Sequence, residues 1–102
     1  MNVLSENMIE LKFDKTLSNL AGNRFGRKTF QDQIKKCLKM DCVNIVVIPN
    51  VIEDVASSFI QGIYSEMSEK YGRDQATKLM ILKSDNNDVM KKIEYSVRVY
   101  SL

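Results

Sequence analysis

The chain has 102 residues, of which 44% are hydrophobic and 27% are charged, and its formal net charge is +2. This length predicts one domain over residues 1–102, because single domains usually run to roughly 100–150 residues. The sequence has no apolar run of the ~20 residues that a membrane helix needs, and its N-terminal segment carries charge too early for a signal peptide. We therefore expect a soluble cytoplasmic protein. So small a net charge does not by itself imply a nucleic-acid partner.

The chain contains no histidine and only two cysteines, Cys37 and Cys42. The usual general base near neutral pH is therefore missing, and so is half of the ligand set of a tetrahedral zinc site. We expect no enzyme activity, no catalytic residue, no metal and no cofactor. Both cysteines are predicted to be buried or half-buried reduced thiols.

The first predicted strand alternates between apolar and charged side chains. Over Met8–Asp14, the residues Ile9, Leu11 and Phe13 fall on one side of the strand, which is typical of a strand with one wet face. We expect this strand at or near a sheet edge, and Met1–Leu4 can form an extra edge strand before it. An edge strand leaves homodimerisation by strand pairing open.

A helix is predicted after Asn23, whose side chain suits the N-cap position. Its apolar residues recur every four positions and face a core: Gly26, Phe30, Ile34 and Leu38, with Cys37 beside them. Gly26 costs a helix about 1 kcal/mol relative to alanine, which indicates close backbone packing at this position. The first turn and the opposite face carry basic residues: Arg24, Arg27, Lys28, Lys35, Lys36 and Lys39.

The middle of the chain predicts a strand, a turn and a second helix. Val43–Ile48 is apolar and β-branched at five of six positions, which is typical of a strand covered on both faces, as in a parallel sheet. Pro49 ends the strand because it has no amide hydrogen to donate. A helix is expected over Ser57–Tyr71, with Gly72 as its C-cap.

The C-terminal third predicts one more strand and one more helix. Arg73–Thr77 reads as a short link before the apolar strand Lys78–Leu82, and the polar turn Ser84–Asn87 precedes an amphipathic helix that reaches Tyr100. The order is then β-α-β-α-β-α, and helix crossovers join parallel strands. The predicted fold class is α/β, a small sandwich with a mostly parallel central sheet that leaves room for one antiparallel edge.

Residues Asn50–Phe59, which leave an apolar strand and enter a helix, resemble the signature segment of the STAS superfamily, the sulfate transporter and anti-sigma factor antagonist domains. They look most like the compact STAS-like branch of unknown function, which has a valine, a serine pair and a phenylalanine here, matched by Val51, Ser57, Ser58 and Phe59. Asn23–Arg27 and Asp85–Val89 resemble two further motifs of that branch. The similarity spans roughly residues 8 to 97 and implies a STAS-like sandwich.

The resemblance implies a regulatory role for the serine pair. In anti-sigma factor antagonists the second hydroxyl residue of an Asp-Ser-Ser/Thr-Gly segment is phosphorylated by a partner kinase, and Ser58 aligns with it. Ala56 stands in the place of the aspartate, and Phe59 in that of the glycine. Ser58, with Ser57 beside it, is therefore the candidate phosphoacceptor, since a helix N-terminus holds a phosphate favourably. The alternative is that both serines only cap the helix.

The residues around this helix start are the candidate partner-binding surface. Glu53 and Asp54 form an acidic turn, of which Asp54 is assigned to a binding rim, and the outward face of the following helix completes the set. The predicted partner-binding residues are Asp54, Gln61, Ser65, Ser68, Arg24 and Arg27. The arginine pair suits a salt bridge or an acidic partner.

The function expected from these observations is a non-enzymatic regulatory protein-interaction module. The resemblance implies that its partner is a histidine-kinase-like ATPase, a switch kinase or anti-sigma factor, which docks on residues 54–68 under control of Ser58 phosphorylation. One alternative is a nucleic-acid-binding protein that uses the basic helix 24–39, although a solvated basic face is the simpler explanation of those charges. Another is a domain that binds a small ligand, a nucleotide or a lipid, in a deep pocket beside Pro49–Ala56.

Overall fold

The computed structural model describes residues 5–99, which form five short strands and four α-helices. The elements in chain order are β1 (Glu6–Glu10), β2 (Asn19–Leu20), α1 (Asn23–Thr29), β3 (Val43–Val47), β4 (Asp54–Val55), α2 (Ser57–Tyr71), α3 (Arg73–Leu79), β5 (Met80–Lys83) and α4 (Asn87–Val99). The predicted extra strand at Met1–Leu4 lies outside the described residues.

The strands of the main sheet are all parallel, which confirms the α/β class. The order is β1-β3-β5, so that β3 is central and β1 is an edge strand, as predicted. Ile9, Val46 and Leu82 lie side by side in the register of the three strands. A separate parallel pair, β2 with β4, joins Leu20 to Val55. Every strand pairing within residues 5–99 is parallel, and none of them forms the antiparallel edge for which the sequence left room.

The main core lies on one face of the sheet. It joins the strand residues Ile9, Val46 and Leu82 to buried side chains of α2, α3 and α4 and of the turn that follows α1. The opposite sheet face lies outside that core: Met8 is 58% exposed and Ile81 is 36% exposed. Ile45, which lies between these two residues on β3, is only 3% exposed. The prediction that the apolar strand Val43–Ile48 is covered on both faces is therefore confirmed at Ile45 and Val46, whereas the flanking strands are open on that face.

Helices α1 and α2 cross at two glycines. A Cβ atom added to Gly26 would overlap the carbonyl oxygen of Phe59 and lie 2.9 Å from the Cα of Gly62. A Cβ added to Gly62 would in turn overlap the carbonyl oxygen of Asn23. The close backbone packing predicted from Gly26 is confirmed, and its counterpart is Gly62.

The first helix changes its winding along its length. After α1 the chain continues as a π turn over Phe30–Ile34 and a 3-10 turn over Lys35–Cys37. Apolar residues spaced every four positions drift by roughly 40° per step around an ideal α-helix, and the wider π turn reduces that drift, which keeps Phe30 and Ile34 buried. Cys37, on the tighter last turn, is exposed, so its predicted burial is wrong.

The helix ends agree in part with the sequence. Gly72 is the C-cap of α2, with a φ of 86° and its amide donating to Ser68 at 2.9 Å, as predicted. The N-cap of α1 is Gly22, with a φ of 100°, and not Asn23, which is the first helical residue. The predicted link Arg73–Thr77 is helical, since α3 begins directly after Gly72. With only Ala76 of α3 fully buried, this short helix has no apolar stripe to reveal it.

Candidate functional site

The small β2–β4 pair positions the start of α2 beside the start of α1. After β3 the chain turns at Pro49, whose carbonyl accepts from the Ile52 amide at 3.0 Å. It then pairs with β2, and the Ala56 amide donates to the Leu20 carbonyl at 2.8 Å. Because β2 leads into α1 and β4 leads into α2, the first turns of the two helices meet at this corner.

The Ser58 side chain hydrogen-bonds across the corner where these two helices begin. Its hydroxyl oxygen accepts a hydrogen bond from the Gly22 amide at 3.0 Å, and its side chain is half-buried. The N-cap of α2 is Ala56, and no side chain caps this helix. The alternative in which Ser57 and Ser58 only cap α2 is therefore wrong, because the Ser58 hydroxyl serves the neighbouring segment instead.

Ser57 borders an open pocket on the opposite side of the same turn. The pocket has a volume of about 450 Å³ and lies between the start of α2 and the middle of α4. It is lined by Val55, Ser57, Lys91, Lys92, Tyr95 and Ser96. The two candidate phosphoacceptors thus occupy different surroundings: Ser58 is engaged with Gly22, whereas Ser57 faces a cavity.

Asp54 ties β4 to α4 at the rim of that pocket. One of its carboxylate oxygens accepts from the Lys92 ammonium and, at 3.0 Å, from the Val55 amide. The Lys92 hydrogen bond lowers the pKa of Asp54 below its ordinary value. The side chain remains about half exposed, so this ion pair contributes little stability by itself. It leaves Asp54 accessible, and its predicted place on a partner-binding rim stays a prediction.

Arg24 and Arg27 lie on the α1 side of α2. Both are exposed, and Arg27 donates to the Asn23 side chain at 2.9 Å and approaches Glu69 of α2 at 3.9 Å. The arginines belong to α1, whereas Asp54 of β4 pairs with Lys92 of α4. The structure does not bring them into one cluster.

Gln61, Ser65 and Ser68 lie on α2 and are half-buried rather than outward-facing. The Ser68 hydroxyl is fully buried and has no hydrogen-bond partner among residues 5–99. The helix is less open than the sequence suggested because α1, α3 and α4 all contact it. The proposed docking surface on α2 is therefore a narrow strip, and its role in partner binding stays a prediction.

Phe59 explains why a large residue follows the serine pair. It is fully buried and its ring lies 5.3 Å from that of Phe25 and 6.4 Å from that of Phe13. Aromatic rings at such distances attract each other beyond simple burial. A glycine at this position would leave the junction between α1, α2 and the segment after β1 unfilled.

Much of the charge on the basic helix is paired with carboxylates. Lys28 contacts Asp32 at 2.8 Å and Lys35 contacts Glu66 of α2 at 2.8 Å. The pKa of Glu66 is lowered, first by the Lys35 hydrogen bond and also by that from Gln31. Such pairing weakens the basic stripe as a phosphate-binding surface.

Sequence reasoning missed the contribution of α4 to the site. Lys91, Lys92 and Ser96 of the last helix were not among the predicted site residues. Ser96 is nevertheless 2% exposed. The available signal was its spacing of three and seven residues from Ile93 and Val89, which places a hydroxyl on the buried stripe of the helix.

Within residues 5–99, no cluster of three or more cysteine, aspartate or glutamate side chains is arranged to hold a metal ion. None of the helices in that range has the length and apolar character needed to cross a membrane. A hollow of about 270 Å³ also lies beside Pro49 and Asn50, at the ends of β1 and β3. Comparison with protein-family models, curated proteins and solved structures gave no match.

Proposed function

We propose that this chain is a non-enzymatic regulatory interaction module that resembles STAS-like domains in its fold and its serine-pair helix start. Its partner is a histidine-kinase-like ATPase that acts as a switch kinase or anti-sigma factor. The partner docks on the corner where α1 and α2 begin, with Asp54 on one rim and Arg24 on the other. The observation that carries the proposal is the Ser58–Gly22 hydrogen bond, which makes the candidate phosphoacceptor part of the contact between two helices.

Phosphorylation of Ser58 would change this corner directly. A phosphate adds close to two negative charges and considerable volume, and the hydroxyl that it replaces is half-buried against the Gly22 amide. To accommodate the group, the start of α1 has to move relative to α2. The modification thereby alters the surface that the partner recognises, which is what a binary switch requires.

Phosphorylation of Ser57 has a different physical consequence. A phosphate there extends towards the pocket and the lysines of α4, where it is attracted by their charge and by the positive end of the α2 dipole. It leaves the Ser58–Gly22 contact in place. The modified residue therefore determines whether the switch rearranges the helices or only changes the surface charge.

Protein docking is favoured over nucleic-acid binding by the ion pairs of the basic helix. Lys28 and Lys35 are each engaged with a carboxylate, and nucleic-acid binding depends on cations that are available to neutralise phosphates. A gel shift that persists at physiological ionic strength would instead support the nucleic-acid alternative.

The proposal is tested by incubating the protein with the histidine-kinase-like ATPase encoded nearest to its gene and with ATP, followed by mass spectrometry. We expect one phosphate, on Ser58 or Ser57, and a complex with the unmodified protein that weakens after phosphorylation. Ser58→Ala and Ser57→Ala identify the residue, and Thr77→Ala, a half-buried hydroxyl residue of α3 outside the predicted docking surface, is the control. Neither phosphate nor complex with such an ATPase, or a phosphate found only away from the serine pair, would overturn the proposal.

A further inference from the structure

The sheet face opposite the main core is a small apolar surface with a charged residue on each edge. Met8 of β1 is 58% exposed and Ile81 of β5 is 36% exposed, and Ile45 of β3 lies between them in register. Glu10 and Lys83, the last residues of the two edge strands, are also exposed. We propose that this face binds the same face of a second copy of the chain in a two-fold symmetric dimer.

The alternation of side chains along the strands places the apolar and the charged residues on one face. Residues two positions apart in a strand point to the same side, so Glu10 accompanies Met8 and Lys83 accompanies Ile81. The intervening Leu82 belongs to the main core, on the side of the sheet where the helices pack. The dimer therefore does not rest on the proposed partner-docking corner, which lies among those helices.

The two edge charges lie in one row of the sheet and are available to a neighbouring molecule. Glu10, Val47 and Lys83 are register neighbours across the three strands, which places the backbones of Glu10 and Lys83 about 10 Å apart. Neither of these two residues forms an ion pair within residues 5–99. A negative charge on one edge and a positive charge on the other make the face complementary to itself.

The charges select one orientation of the two copies. A two-fold axis parallel to the strands places β1 of one copy over β5 of the other and keeps each row in place. Glu10 then faces Lys83 of the second copy, and Met8 faces Ile81 of the second copy, so that two ion pairs flank an apolar centre. An axis across the strands instead places β1 over β1, with Glu6 opposite Glu10. Pairing of two β1 edges about Met8 has the same result, and such like-charge contacts are unfavourable.

The size of the face predicts a weak dimer. Its strands have four or five residues, and spacings of ~4.8 Å between strands and ~3.3 Å along them give a face roughly 15 Å on a side. This is smaller than the ~800 Å² that each partner contributes to a standard stable interface. We therefore expect reversible association, with a dissociation constant on the order of 0.1 mM.

The proposal is tested by sedimentation equilibrium and by NMR spectra of the ¹⁵N-labelled chain, diluted from roughly 1 mM to about 10 µM at low salt. We expect dimers at the upper concentrations, with the amide signals of Met8 and Ile81 among those that change most. A monomer at every concentration would overturn the proposal and leave the face to a different protein. A dimer whose spectral changes lie on the helices instead of the sheet would also overturn it.

Charge-reversal variants test the orientation. Glu10→Lys and Lys83→Glu should each weaken self-association at least tenfold, because the symmetric dimer then contains two like-charged pairs. An equimolar mixture of the two variants should associate as tightly as the wild type, since every facing pair is again of opposite charge. The double variant Glu10→Lys/Lys83→Glu should restore association within a single chain.

Glu53→Lys, which makes the same charge change at an exposed position before β4, is the control for net charge and should leave association unchanged. Failure of both the mixture and the double variant to associate would contradict the facing of Glu10 and Lys83. Tighter self-association of Glu10→Lys would also contradict it, because that is the outcome expected if β1 lay over β1.

Discussion

Replacing Gly62 with alanine tests the close crossing of α1 and α2, because helix propensity and steric overlap predict opposite changes in the free energy of unfolding. Alanine is the better helix former by about 1 kcal/mol. Against this, a Cβ at Gly62 would overlap the Asn23 carbonyl oxygen and lie 3.0 Å from the Arg27 amide nitrogen. The contacted atoms belong to the backbone, so no side chain can rotate away, and the cost falls at the upper end of the ~1–3 kcal/mol typical of overpacking.

The net expectation for Gly62→Ala is a loss of about 2 kcal/mol of unfolding free energy, the difference between a cost near 3 and a gain near 1. For a domain of this size that corresponds to a fall in melting temperature of roughly 8–16 °C. Urea denaturation and thermal scans measure both quantities, and Ser65→Ala, on the same helix, serves as the control with little expected change. A Gly62→Ala protein as stable as the wild type, or more so, would refute the crossing geometry.

Three further substitutions or treatments have expected outcomes. Asn44→Ala should cost about 3 kcal/mol in urea denaturation, because a fully buried amide that bonds three neighbouring segments is removed; a loss below about 1 kcal/mol would contradict this. Asp54→Asn should cost less than about 1 kcal/mol near neutral pH, and this difference should vanish as the pH falls through the lowered pKa of Asp54, since the Lys92 pair stabilises the fold only while the carboxylate is charged. Iodoacetamide should alkylate exposed Cys37 before half-buried Cys42 in the native protein, with the order of modification read by mass spectrometry. The reverse order would contradict the position of the end of the first helix.

The hydrogen bonds of Asn44 could not be predicted from the apolar pattern of its strand. The run Val43–Ile48 predicted the central strand correctly, and its single polar residue gave no sign of importance. In the structure the Asn44 side chain accepts from Asn7 of β1 and from the Lys39 amide, and it donates to the carbonyls of Lys39 and Leu79. These partners come from distant parts of the sequence, so no local periodicity predicts them.

The apolar face of the first helix was predicted from spacing, but its winding was not. Periodicity located Phe30 and Ile34 in the core, whereas the exposure of Cys37 depends on a π turn and a 3-10 turn. Those turns arise from the packing of the helix on its neighbours. Gly26 was more informative, because a glycine inside a helix has few explanations other than a close backbone approach.

The candidate site, too, was predicted only in part from the sequence. The sequence located the serine pair and Asp54 at the start of a helix because turn and helix signals are local. It did not locate the lysines and Ser96 of α4, since their proximity to Ser57 depends on how the last helix packs against β4. A single sequence does not show which side chains of other helices or strands will lie beside a predicted site residue.

The position of Ser58 follows from the glycine crossing rather than from its own surroundings. Gly26 and Gly62 let α1 and α2 approach closely, and this approach brings the Gly22 amide within 3.0 Å of the Ser58 hydroxyl. A change that separates the helices therefore also removes the partner of Ser58, and a modification of Ser58 acts in turn on the crossing. Both effects depend on the same Ser58–Gly22 hydrogen bond. Modification of Ser58 would therefore move α1 directly, with no other element needed in between.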